Sequence, residues 1–105
     1  MKDPRLEQLA ILSGLVRDHR LGQLKAATVQ RDATVALRDG LVATGSDDPA
    51  ALQAQATYGY WIERRREMLA ALVDRQNAEV ETGLVKARTA FARAAAVAKL
   101  RDQLS

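Results

Sequence analysis

The chain holds one histidine, His19, and no cysteine. That inventory removes thiolate nucleophiles, disulfides, thiolate metal sites and multi-histidine metal sites together. A Ser-His-Asp triad would have to use His19, but Ser13 lies six residues away on a different helical face. Gly45-Ser46-Asp47-Asp48 lacks the lysine and second glycine of a phosphate loop. Asp47 and Asp48 could be read as metal ligands, but a helix cap accounts for them fully. The residues point to a protein that is not an enzyme and uses no cofactor or metal.

Three features could instead bind macromolecules. Arg64-Arg65-Arg66 is a run of cations between Glu63 and Glu67. Consecutive helical residues fan about 100° apart, so the run forms no single basic face. Nucleic-acid recognition would need denser Lys/Arg along one stripe, and the run reads as a solvated patch. Tyr58, Tyr60 and Trp61 could anchor at a membrane surface. Residues 46–82 carry four basic against seven acidic side chains, however, and anionic lipid would repel them. The same aromatics beside Arg65 have the make-up of a protein-binding hot spot. Three aromatics this close together cannot all face one helix seam, so at least one should be exposed. Packing over the end of a hairpin or within a dimer is the other use these rings could have. The third feature is the C-terminal stretch 83–105, where Lys86, Arg88, Arg93, Lys99 and Arg101 stand against Asp102 alone, a net +4. A basic end beside an acidic middle suits a partner contacted end-on, and suits solubility equally.

The elements that must position these groups are helices. Alanine, leucine, arginine and acidic residues dominate the 105 residues, aromatics make up only 4%, and no apolar run reaches the ~20 residues of a membrane span. Asp3 and Pro4 form a helix start, as N-cap and first helical residue. Two interleaved heptad series follow, Leu12-His19-Ala26-Ala33 and Leu15-Gly22-Val29-Ala36, and these predict the seam of helix one. His19 would then be a partly buried histidine among small residues. Gly22 is either kept for close approach or tolerated as a weak point. Gly45 then supplies a stop, Asp48 a cap and Pro49 a new first position. A connection this short makes the helices antiparallel neighbours. The second series runs through Ile62, Leu69, Val73, Val80, Ala87, Ala90, Ala94 and Val97, interrupted by Gln76 and Gly83. The expected fold is all-α: an elongated, antiparallel two-helix coiled-coil hairpin. Helix one should span about 4–43, the turn 44–48 and helix two about 49–103, as a single domain over 1–105. One seam gives low stability per residue, which predicts a marginal monomer able to form a weak homodimer.

In this arrangement the chain resembles the FliJ family of flagellar export proteins, within the wider family of type III secretion stalk proteins. The resemblance is carried by Trp61-Ile62 near the start of helix two, by the basic stretch Lys86-Ala87-Arg88-Thr89-Ala90-Phe91-Ala92-Arg93, and by the closing Ala98-Lys99-Leu100-Arg101-Asp102-Gln103-Leu104. It implies a non-catalytic, rotary-ATPase stalk-like coiled coil. Such a protein sits in the cytoplasm, peripheral to the inner-membrane export apparatus. It binds and stimulates the hexameric export ATPase and contacts the export gate and chaperones. Under that resemblance Arg88, Arg93, Lys99 and Arg101 would meet the ATPase, and Tyr58, Tyr60, Trp61 and Arg65 a second protein partner. A generic homodimeric helical-bundle adaptor or chaperone unrelated to secretion is the alternative.

Overall fold

Asp3 caps the first helix as its sequence requires. Its carboxylate accepts the Arg5 backbone N–H at 2.9 Å, and its carbonyl accepts those of Leu6 and Glu7. From this start α1 runs Pro4–Asp39, and α2 runs Pro49–Leu104. The structure is a computed structural model and describes residues 3–41 and 49–104. Among the described residues there is no strand, and no helix is long and apolar enough to cross a membrane. α1 closes before residue 43, with Gly40 N–H donating to the Ala36 carbonyl at 3.0 Å. The stop expected at Gly45 and the cap expected from Asp48 lie outside the described residues.

The chain forms two compact units, Met1–Thr28 with Ala78–Ser105, and Val29–Asn77. Each is an antiparallel helix pair. In the first, Leu24 packs on Gly83 and Arg17 lies over the Phe91 ring, so rising numbers on α1 meet falling numbers on α2. In the second, Arg31 donates to the Asn77 side chain and Arg66 Nη2 donates to the Leu41 carbonyl at 2.8 Å. This last bond satisfies a carbonyl just past the end of α1, where backbone groups lack helical partners.

The inward face of α2 is the one its heptads predict. Ile62, Leu69 and Val73 are buried in the second unit, and Ala87, Ala90 and Ala94 in the first. Gln76, Val80, Gly83 and Val97 continue the same spacing and are half-buried. Small residues draw the helices together: a Cβ at Gly83 would sit 3.6 Å from the Leu24 Cα.

The inward face of α1 is not the predicted one. Leu12, His19, Ala26, Leu15 and Gly22 are exposed in the first unit, and Val29, Ala33 and Ala36 in the second. The inward positions are Leu6, Ala10, Ser13, Arg17, Arg20, Leu24 and Ala27, then Arg31, Thr34, Arg38 and Leu41. Of these only Thr34 is buried, and its hydroxyl donates to the Gln30 carbonyl at 3.0 Å. The arginines are half-buried, and the heads of Arg17 and Arg31 reach α2 at the rim of the seam, at Phe91 and Asn77. Arg17, Arg31 and Arg38 each reach the aspartate that follows, Asp18, Asp32 and Asp39, at 3.1–3.2 Å. A thin, close seam accommodates flexible stems beside alanine. Leu15 is left outside it, and Leu12 stays at its rim.

Candidate protein-binding surfaces

Four basic residues of α2 were expected to act together, and the helix separates them. Arg88 and Lys99 are exposed and eleven residues apart, about three turns, so they share one outward face. Arg101 is half-buried at an inward position, with its Nε 3.6 Å from Asp102. Arg93 alone turns into the groove between α1 and α2 of the first unit.

There it joins two cations outside the expected set. A groove of about 170 Å³ is lined by Arg20, Lys86 and Arg93 above Val16, Val85 and Ala90. A second groove of about 160 Å³, lined by Leu9, Leu12, Ser13, Val16, Ala90 and Arg93, adjoins it and is mostly apolar. The Arg20 guanidinium is steadied by the Gln23 side-chain oxygen at 3.0 Å. Three cations over an apolar floor, with Leu9 and Leu12 alongside, suit an acidic and apolar protein segment. Arg20 escapes a reading of the sequence because it stands on α1. Only the antiparallel pairing sets it beside Lys86 and Arg93.

In the second unit the aromatic cluster divides. Tyr58 and Trp61 stack with centroids 5.8 Å apart and planes within 14°, both about half exposed. Arg65 lies one turn beyond Trp61 on the same face and is exposed. Tyr60 points elsewhere, with the Arg64 guanidinium 5.9 Å from its ring centroid. Ile62, at 2% exposure, is the member that faces the seam. The structure thus brings Tyr58, Trp61 and Arg65 together and leaves Tyr60 out. Arg66, the last of the arginine run, turns inward to Leu41, so the three cations do fan around the axis.

No protein family, curated protein or solved structure matches this chain.

Proposed function

We propose that this chain is a non-catalytic coiled-coil adaptor of the flagellar, or type III, protein export apparatus, working in the cytoplasm beside the inner membrane. It binds the hexameric export ATPase through the basic groove of the first unit and raises its turnover. Tyr58, Trp61 and Arg65 of the second unit serve the export gate or a chaperone. The observation that carries this reading is the convergence of Arg20, Lys86 and Arg93 over an apolar floor. Such a surface steers and then holds an acidic protein partner.

The test is binding of the full chain to purified flagellar export ATPase, with turnover measured alongside. Binding at one chain per hexamer with raised turnover supports the reading, and Lys86→Glu with Arg93→Glu should then lose both while Arg88→Glu keeps them. No binding by the unaltered chain sinks it. The second reading, a homodimeric helical-bundle adaptor unrelated to secretion, is favoured by one separate observation: the outward apolar series of α1.

A further inference from the structure

We infer that the outward face of α1 in the first unit is a self-recognition surface, on which α1 of a second copy packs antiparallel with His19 opposite Gly22. The inference does not rest on the export reading. Leu15 is 61% exposed, and with His19, Gly22 and Ala26 it continues a second heptad seam, beyond Leu12 at the rim of the apolar groove, that no described element of the first unit covers. Alternating steps of three and four residues are the signature of a face met by another helix. Gly22 adds to this, because a Cβ there would meet nothing within 4 Å among the described residues. Glycine inside a helix is disfavoured, and packing within the chain gives no reason for it. An incoming helix does.

Charge selects the occupant and its register. Asp18 and Lys25 flank this face on one edge and are both exposed. In the antiparallel register that sets His19 opposite Gly22, Leu15 meets Ala26 and Asp18 meets Lys25, each twice by symmetry. Large faces small, and opposite charges face each other. A shift of one heptad in one direction sets Asp18 against Asp18, and in the other sets Lys25 against Lys25. Like charges across such a seam are repulsive, so one register is favoured and its neighbours are penalised. Asp18 already accepts Arg17 Nε at 3.1 Å, and a carboxylate has lone pairs for both cations.

The experiment is sedimentation equilibrium of the full chain from micromolar to millimolar concentration, with helicity followed by circular dichroism. A monomer–dimer equilibrium is expected. Leu15→Glu should weaken it at least a hundredfold at unchanged monomer helicity, since Leu15 supports no intrachain core. Asp18→Lys and Lys25→Asp alone should each weaken it about tenfold or more, and the double exchange should restore it to within about threefold. A chain that stays monomeric throughout overturns the inference and leaves the face to a different protein's helix. A dimer indifferent to Leu15→Glu, or single charge changes that the double exchange does not rescue, overturns it too.

Discussion

The two helices of this chain follow the same periodicity and end in opposite situations. α2 has one dominant heptad series, and its members Ile62, Leu69, Val73, Ala87, Ala90 and Ala94 form nearly the whole buried core. α1 has two. The one with Leu12, Leu15 and Val29 faces out, and the one that mixes Leu6, Leu24 and alanines with Ser13, Arg17, Arg20, Arg31 and Thr34 faces in. Hydropathy names the buried face of a helix only when a single face is a candidate. When two stripes compete, the partner helix decides.

The largest effect that could break this contrast is truncation of matched residues. Ile62→Ala or Leu69→Ala should cost about 2–5 kcal/mol. Leu15→Ala should stay within about 0.5 kcal/mol in the monomer. Chemical denaturation at low protein concentration measures both, and equal costs would mean that α1 buries the face that carries Leu15.

A smaller effect sharpens the account of α2. The Gln76 side-chain oxygen is buried with no hydrogen-bond partner among the described residues. Gln76→Leu should therefore stabilise the fold by about 1–3 kcal/mol, read as a higher denaturation midpoint. A loss of stability would show that a partner reaches that oxygen.

The two mid-helix glycines make a finer comparison. Gly22→Ala meets open space and should raise monomer stability by about 1 kcal/mol. Gly83→Ala meets Leu24 at 3.5–3.8 Å, ordinary contact distance, and should raise it by a similar or slightly smaller amount. A clear destabilisation at Gly83 would place the helices closer together than the structure has them.

The smallest effect belongs to the start of α1. Asp3→Ala removes the acceptor for the Arg5 N–H and should cost about 1 kcal/mol. Thermal melting monitored at 222 nm detects it. No change would mean that the first turn of α1 frays and adds nothing to the seam.

The candidate surfaces show the same division as the helices. That the aromatics of residues 58–61 cannot all be buried follows from helical geometry alone, and so does the fanning of Arg64-Arg65-Arg66. The grouping of Tyr58, Trp61 and Arg65 was within reach too, because those residues lie one turn apart on one helix. The basic groove was not. Arg88 and Lys99 share an outward face, Arg101 stands at an inward position and only Arg93 lines the groove, while Arg20 comes from the other helix. One clue to the α1 seam does stand in the sequence: Arg17-Asp18, Arg31-Asp32 and Arg38-Asp39 recur at multiples of seven residues. An arginine whose stem is half-buried keeps its head near an aspartate at the rim, and the repeat marks where the seam runs.

The amino-acid order by itself determined that the chain is helical, that α1 starts on Asp3 and Pro4, that α2 begins at Pro49, and which face of α2 is buried. Those outcomes depend on caps, proline and a single uncontested stripe, all local in sequence. Only the tertiary structure decided which face of α1 turns inward and which cations share a groove. Both depend on what stands opposite. The alanines and Gly83 of α2 bring its backbone close, and the close seam takes arginine stems, small side chains and Leu24 while Leu15 stays outside.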